Sequence, residues 1–289
     1  RHEADVQQGH RRHADDELWA LDVRAGAAPT VLGRGALEHP VPGLLSGNRG
    51  GPLIVRGQTA YVVRMNDWSS SGGVHVFDVT DPTRPTQVGL WDAYVESVGN
   101  PRYYDVFYPS PSQPTLDGDR LWIPGTPALT ELDVSDPAQP RLVAHSELPF
   151  VQDAHVAFGY DTSGMLAEGR RVVAAAYRGG LFAADVAADG TLDLVGRARM
   201  PGVARDVARV GDHLLVAGDW GTGLRVLDAA TLGAVRAIEG IDGLSVAVAD
   251  DTAYVVARDG VVAGDAAEPA LPVVRGALAR PFDERDDQI

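Results

Sequence analysis

The stretch GVHVFDVTDPTRPTQVG, residues 73–89, combines an apolar strand that ends at Asp78, a turn rich in Asp and Pro, and the start of a second strand. A similar stretch, ALTELDVSDPAQPRLV, occupies residues 128–143. The aspartate that closes the apolar strand recurs six times, at Asp22, Asp78, Asp133, Asp185, Asp228 and Asp265. The interval between successive members falls from 56 to 37 residues. Intervals of this size are typical of proteins built from repeated β-units.

Each repeat contains four short strands, most clearly in residues 203–239. The segments VARDVARVG, GDHLLVAGDW, GLRVLDAAT and AVRAIEG follow one another there, each bounded by Gly, Asp or Thr turn residues. Four short antiparallel strands per repeat are typical of a propeller blade. The sequence therefore predicts an all-β fold, a β-propeller of six four-stranded antiparallel blades. The first blade is atypical, because residues 16–37 supply only two strands, ELWALDV and TVLGRGA.

The incomplete first blade also shapes the predicted domain organisation. One β-propeller domain is expected over residues 17–279, preceded by an N-terminal segment, 1–16, and followed by an acidic C-terminal tail, 280–289. An unpaired sheet edge invites pairing with another strand. We therefore expect the N-terminal segment or the tail to pair with the first blade and close the ring.

Charge and composition exclude several classes of function. The chain has 40 acidic and 25 basic residues and a formal net charge of −15, which argues against nucleic acid and anionic lipid as partners. All the basic residues are Arg and there is no Cys, so Lys-based and Cys-based catalysis are excluded. No apolar run approaches the roughly 18 residues of a membrane span, which predicts no membrane insertion. The chain begins RHEAD, without the apolar stretch of a signal peptide.

The recurring aspartates are predicted to be turn residues rather than ligands. Pro82 and Pro137 directly follow Asp81 and Asp136, an arrangement that favours a type I turn in which Asp accepts backbone N–H bonds. Common catalytic signatures are absent, so no catalytic residue is assigned from the sequence.

A candidate metal site follows from aligning the innermost strands of the blades. The segments YYDVFYPS and AHVAFGY are taken as the inner strands of the third and fourth blades, and RDVA and LSVA as those of the fifth and sixth. This alignment places Asp105, His155 and Asp206 at equivalent positions. A carboxylate, an imidazole and a second carboxylate could bind a divalent cation such as calcium, manganese or zinc, or could transfer protons. The alternative is that these groups line a hydrated channel and pair with neighbouring arginines.

A rim of aromatic and charged residues is predicted around the same channel mouth. The start of an inner strand and the turn between the second and third strands should lie at the same end of a blade. Tryptophan beside carboxylate is typical of sites for sugars or cationic groups, so a small-molecule or carbohydrate ligand or a protein partner is expected there. The predicted ligand-binding residues are Asp67, Trp68, Arg102, Tyr103, Asp153, Tyr177, Arg178, Arg205, Asp219, Trp220 and Arg258.

Three segments carry a resemblance to a known family. GQTAYVVRMNDWSSSGGVHVFDVTDPTRPTQVG, GDRLWIPGTPALTELDVSDPAQPRLV and GDHLLVAGDWGTGLRVLDAATLG resemble LVIVD repeats, in which an apolar strand and a Gly-rich turn precede LxVxDVSDPxxPxxVG. The resemblance extends from residue 17 to about residue 276, although AADVAADG and LDAATLG lack the Asp-Pro turn. It implies a bacterial or archaeal β-propeller that is exported or displayed at the cell surface, without assigned enzymatic activity.

These observations leave three hypotheses about function. The first is a non-enzymatic binding or assembly module that holds a partner protein or small ligand at the channel mouth. The second is a metal-assisted hydrolase or lyase whose site surrounds Asp105, His155 and Asp206. The third is a structural subunit of a larger assembly.

Overall fold

The fold was analysed in a computed structural model. It describes residues 17–22, 30–38, 49–65, 73–92, 113–124, 128–147, 164–176, 178–249, 252–257, 260–266 and 274–279. The chain forms two compact units, Arg1–Leu148 and Pro149–Ile289. Over the described ranges the regular structure is all β, and no helix there is long and apolar enough to cross a membrane.

The first unit contains a two-stranded sheet, β1 with β2, followed by two four-stranded sheets, β3 to β6 and β7 to β10. Every pair of neighbouring strands in these sheets is antiparallel. The strands are β1 (Glu17–Asp22), β2 (Thr30–Ala36), β3 (Arg49–Arg56), β4 (Thr59–Met65), β5 (Gly73–Asp78), β6 (Thr86–Asp92), β7 (Thr115–Asp117), β8 (Arg120–Pro124), β9 (Ala128–Asp133) and β10 (Arg141–Glu147).

The second unit contains three four-stranded antiparallel sheets, β11 to β14, β15 to β18 and β19 to β22, each in sequential order. The strands are β11 (Gly164–Glu168), β12 (Arg171–Ala175), β13 (Leu181–Val186), β14 (Leu192–Ala198), β15 (Val203–Val210), β16 (His213–Asp219), β17 (Gly223–Asp228), β18 (Ala234–Ile238), β19 (Gly243–Ala249), β20 (Thr252–Ala257), β21 (Gly260–Asp265) and β22 (Val274–Ala279).

The all-β prediction is confirmed, but the prediction of six blades is wrong. Over the described parts of the chain there are five four-stranded blades and the two-stranded sheet. Strand β1 ends at Asp22 as β5 ends at Asp78, so β1 and β2 correspond to the third and fourth strands of a blade. Within the described residues, the first repeat thus supplies only its outer pair. Residues 1–16 and 280–289, predicted to close the ring, lie outside the described residues.

Three of the recurring aspartates, Asp78, Asp133 and Asp228, act as turn residues, as predicted. Asp78 Oδ1 accepts hydrogen bonds from the Thr80 backbone N–H (2.9 Å) and hydroxyl (2.6 Å). The hydroxyl bond is the main reason that the pKa of Asp78 lies below its ordinary value. Asp228 is bound in the same way by Thr231. Asp185 differs, because its two oxygens accept from the Arg171 guanidinium at 2.7 and 2.8 Å.

Two of the predicted inner strands are wrong. In the described residues, β7 (Thr115–Asp117) is the first strand of its blade and pairs with β8, and β11 (Gly164–Glu168) is the first strand of the next and pairs with β12. The sequence alignment had instead used residues 103–110 and 154–160, which lie outside the described residues. The pairing partner of a strand is decided by fit to its neighbour across the sheet, and short apolar segments on either side of a turn offer equivalent patterns.

Neighbouring sheets pack through their middle strands. In the first unit, Tyr61 and Val76 of one blade are fully buried with Leu121 and Leu132 of the next. In the second unit, one cluster joins β12 and β13 to β15 and β16, and another joins β16 and β17 to β19 and β20. The outermost strands are mainly exposed. The hydrophobic cores therefore lie between successive blades, where burial of apolar surface stabilises the stack.

A glycine in an outer strand accommodates the turn of the following blade. A side chain at Gly89 in β6 would clash with the backbone carbonyl of Pro137, and one at Gly35 in β2 would approach the carbonyl of Pro85 at 2.5 Å. Pro85 and Pro137 belong to the two Asp-Pro turns. The spacing in TDPTRPTQVG therefore reflects two contacts: the turn packs on the preceding sheet, and Gly89 admits the next turn.

We expect Gly89→Ala to lower the free energy of unfolding by about 2 kcal/mol, because the added methyl group meets backbone that cannot rotate away. Gly196→Ala in β14 is the matched control, since its Cβ would meet only the flexible Leu232 Cδ1, at 3.1 Å. That variant should change the free energy by less than about 1 kcal/mol. Urea denaturation followed by circular dichroism provides the comparison, and equal effects of the two variants would contradict the contact.

Candidate functional site

The register of the second unit brings two kinds of segment to one end of its sheets. The first residues of the inner strands lie opposite the last residues of the second strands: Gly164 opposite Ala175, Val203 opposite Asp219, and Gly243 opposite Ala257. The turns between second and third strands start at the same place. We call this end of the second unit the turn end. The geometry expected from the sequence is thus confirmed for this unit.

Asp206 joins neighbouring sheets near the turn end. Its side chain is buried in β15, with 9% of the residue exposed. Oδ2 accepts hydrogen bonds from Ser245 Oγ (2.6 Å) and the Val246 N–H (3.0 Å) of β19, and Oδ1 accepts from the Val207 N–H (2.8 Å). On the other side, a side chain at Gly164 of β11 would clash with Oδ1. Burial raises the pKa of Asp206 above its ordinary value, although the three hydrogen bonds oppose the shift.

The candidate metal site is not assembled in the described part of the chain. Gly164 occupies in β11 the register position that Asp206 occupies in β15, since each lies opposite the corresponding alanine, Ala175 or Ala217. The position in β11 that corresponds to Asp206 is therefore held by Gly164. Asp105 and His155 lie outside the described residues, and no group of three metal-ligating side chains occurs within the described ranges. Both oxygens of Asp206 already accept protein hydrogen bonds.

A buried ion pair supports the turn that follows β16. Asp219 is fully buried, and its Oδ2 lies 3.1 Å from Nη2 of Arg205, whose side chain is 29% exposed. Thr222 is also fully buried, and its hydroxyl accepts a hydrogen bond from the Gly202 N–H at 3.1 Å. Arg225 donates to the backbone carbonyls of Gly221 and Thr222. Side chains from three segments thus fix the turn on its inner side.

Trp220 projects from this fixed turn in a left-handed conformation. Its φ is 51°, and the following Gly221 has a φ of 92°. A bulky residue with positive φ is uncommon and carries strain, which persists only where the surroundings impose it. The residue is nevertheless 54% exposed, the highest value among the exposed large apolar residues of the described chain. An exposed tryptophan held in a strained position indicates a contact surface rather than a core.

One arginine from the preceding blade lies beside Trp220, and a second binds the turn that carries the first. The Arg178 guanidinium lies 5.3 Å from the centroid of the indole ring, within the range of a cation–π interaction. Arg178 belongs to the turn after β12, and Arg197 Nε donates to the carbonyl of Gly179 in the same turn at 3.0 Å. The indole therefore forms part of a surface that is both aromatic and basic.

Four of the predicted ligand-binding residues lie together at the turn end: Arg178, Arg205, Asp219 and Trp220. Asp67, Trp68, Arg102, Tyr103, Asp153, Tyr177 and Arg258 lie outside the described residues. The sequence did not identify Arg197 or Arg225, which belong to fourth and third strands and reach the turns through long side chains. The glycines at 221 and 223, which flank a threonine, were the available signal of a tight turn.

Comparisons with known proteins address the fold. No protein-family model matches the sequence, and no curated protein matches it. Solved structures do match. BamB from Moraxella catarrhalis is a propeller that is 13% identical, with a TM-score of 0.54 over 92% of this chain and 71% of its own. The chain has the β-propeller fold.

Two further structures resemble the chain at similar levels. A chain of a nidogen/laminin complex is 12% identical, with a TM-score of 0.51 over 92% of this chain and 93% of its own. The computationally designed Ika8 protein is 11% identical, with a TM-score of 0.53 over 80% of this chain. The match spans only 61% of the length of Ika8. At these identities the similarity concerns the fold alone.

The left-handed conformation of Trp220 predicts an order of stability among variants. Trp220→Gly should be more stable than Trp220→Ala by about 1 kcal/mol, because glycine adopts positive φ without the steric cost that alanine retains. Both variants remove the indole, so the difference between them isolates the backbone. The free energies are compared by urea denaturation. Equal stability, or a more stable alanine variant, would show that the turn does not impose this conformation.

Proposed function

We propose that the protein is a non-enzymatic β-propeller that serves as a binding or assembly module. The main support for this proposal is Trp220, which is exposed and has a strained backbone at the tip of a turn. The inner side of this turn is fixed by Arg205, Asp219 and Arg225. A rigid scaffold that presents an aromatic residue from a loop is a common arrangement for binding. The proposed contact surface is the turn end of the second unit, centred on Trp220.

The repeat sequence supports a cellular location for this module. The resemblance of three segments to LVIVD repeats supports assignment to that family, and with it export from the cytoplasm or display at the cell surface. The acidic composition is compatible with such a setting. One similar structure belongs to a nidogen/laminin complex, which shows this fold type within a protein assembly.

The metal-assisted hydrolase or lyase has less support. Of the three predicted metal ligands, Asp206 is the one that lies within the described residues. Its carboxylate accepts hydrogen bonds that join β15 to β19. The structural role of this carboxylate accounts for its burial without a bound cation.

The proposal predicts a partner whose binding depends on Trp220. Affinity-tagged wild-type protein and Trp220→Ala are used to recover bound proteins from cells of the native host. Any protein that is recovered only with the wild type is then purified, and its dissociation constant is measured by calorimetry. We expect Trp220→Ala to weaken binding about tenfold or more, as is typical when a central aromatic contact is removed.

Trp19→Ala provides the control. Trp19 is 41% exposed and lies 4.0 Å from the Arg34 guanidinium, so it reproduces a surface tryptophan stacked with arginine, but in the first unit. Its replacement should leave the binding constant within about twofold of the wild-type value. If Trp220→Ala binds every recovered partner as tightly as Trp19→Ala does, the proposed contact surface is wrong.

A further inference from the structure

Charge is unevenly distributed along the sheets of the second unit. At the turn end, the described residues include five arginines against four acidic residues: Arg178, Arg197, Arg199, Arg205 and Arg225 against Asp206, Asp219, Glu239 and Asp242. Among residues whose side chains are described, the opposite end includes three arginines against seven acidic residues: Arg170, Arg171 and Arg209 against Glu168, Asp185, Asp189, Asp193, Asp212, Asp228 and Asp265. A basic end is notable in a chain whose net charge is −15.

Three of the arginines at the turn end differ from the others in having no ion pair within the described part of the chain. Arg205 pairs with Asp219, and Arg225 pairs with Glu239 at 3.1 Å. Arg178, Arg197 and Arg199 are exposed and form no ion pair with any described carboxylate. At the opposite end, Arg171 and Arg209 are both paired, with Asp185 and Glu168. Among the described residues, positive charge without an ion pair is thus concentrated at the turn end, where Arg178 lies over the indole of Trp220.

These arginines are held close together by the turn after β12. Gly180, with a φ of 83°, allows the chain to reverse there, and a side chain at this position would clash with the backbone of Ala198 and Arg199. Arg197 binds the carbonyl of Gly179, and Arg178 stacks on Trp220. We name Arg178, Arg197, Arg199 and Trp220 the arginine–tryptophan surface.

We propose that the arginine–tryptophan surface binds an acidic peptide segment of a partner protein, one that places an apolar side chain on the indole between carboxylates. This inference rests on the proposed binding function and adds the chemistry of the ligand. Guanidinium groups bind carboxylates through paired N–H donors, and the indole supplies apolar contact area. Each pair at an exposed surface contributes little, so several carboxylates are needed.

A peptide fits this surface better than a nucleic acid does. The basic area is confined to one end of the unit, and the seven acidic residues at the opposite end repel a long polyanion. A short acidic segment contacts the basic end alone. Attraction between opposite charges should also make binding sensitive to ionic strength, because exposed pairs are screened by salt.

The experiment uses a short fluorescein-labelled peptide of glutamates around one tryptophan, its glutamine counterpart, and a labelled single-stranded oligonucleotide of similar length. Binding to the full-length protein is measured by fluorescence anisotropy. We expect the glutamate peptide to bind at least tenfold more tightly than the glutamine peptide at about 50 mM salt. This preference should diminish at about 300 mM salt.

Charge-reversal variants test the location. Arg178→Glu with Arg197→Glu should weaken binding of the glutamate peptide about tenfold or more. Arg171→Glu with Arg209→Glu is the control, because it makes the same change in net charge at two exposed arginines at the opposite end of the second unit, and it should alter binding less than about threefold. Circular dichroism checks that all variants retain the β-sheet fold.

Several results would overturn the inference. They are no binding of the glutamate peptide, equal binding of the two peptides, equal loss in the two double variants, or tighter binding of the oligonucleotide than of the peptide. These results concern only the peptide. A host protein that binds the wild type but not Trp220→Ala would still support the proposed binding function. Conversely, if peptide binding depends on Arg178 and Arg197 but no host partner depends on Trp220, the peptide chemistry holds and the assembly function fails.

Discussion

The carboxylate of Asp206 sets the relation between three neighbouring sheets of the second unit. It accepts two hydrogen bonds from β19 and one from its own strand, and it fills the space that a side chain at Gly164 of β11 would need. A buried carboxylate requires donors, since a group without them would cost several kcal/mol. The inner strands therefore have one favoured alignment, with Gly164, Asp206 and Ser245 adjacent.

This alignment determines where the turns lie. Because corresponding positions of β11 and β15 are in contact, the turn after β12 comes next to the turn after β16, and Arg178 reaches the indole of Trp220. The second turn is itself held by the Arg205–Asp219 ion pair and by Arg225, which leaves Trp220 exposed in a strained conformation. Rigid sheets and fixed turns reduce the conformational entropy lost on binding. The same framework thus stabilises the unit and prepares its contact surface.

The sequence predicted the features that depend on local chemistry. Asp78, Asp133 and Asp228 mark third-strand ends because their carboxylates bind groups two or three residues ahead. The period of the strands placed Arg178, Arg205, Asp219 and Trp220 at one end. The sequence-based prediction of the inner strands failed at β7 and β11. There, the segment that forms the inner strand is decided by its fit to the neighbouring strand, β8 or β12. Gly164 resembles a loop residue in the sequence, and only its packing against Asp206 reveals its place. The blade count failed because the first repeat has two described strands.

The most direct test is the pH dependence of the stability of Asp206→Ala, with Ser245→Ala as the control that removes one donor and leaves the carboxylate bound by backbone. At about pH 4, Asp206→Ala should lower the free energy of unfolding by about 2–4 kcal/mol, because two buried N–H groups lose their acceptor, and Ser245→Ala by about 1 kcal/mol. The folded-state pKa of Asp206 is raised by burial. Its contribution is therefore fully present below the ordinary pKa and declines as the pH rises through the raised value. The account predicts that the difference between wild type and Asp206→Ala narrows towards about pH 7. A difference that widens with pH, or a variant as stable as the wild type at about pH 4, would contradict it.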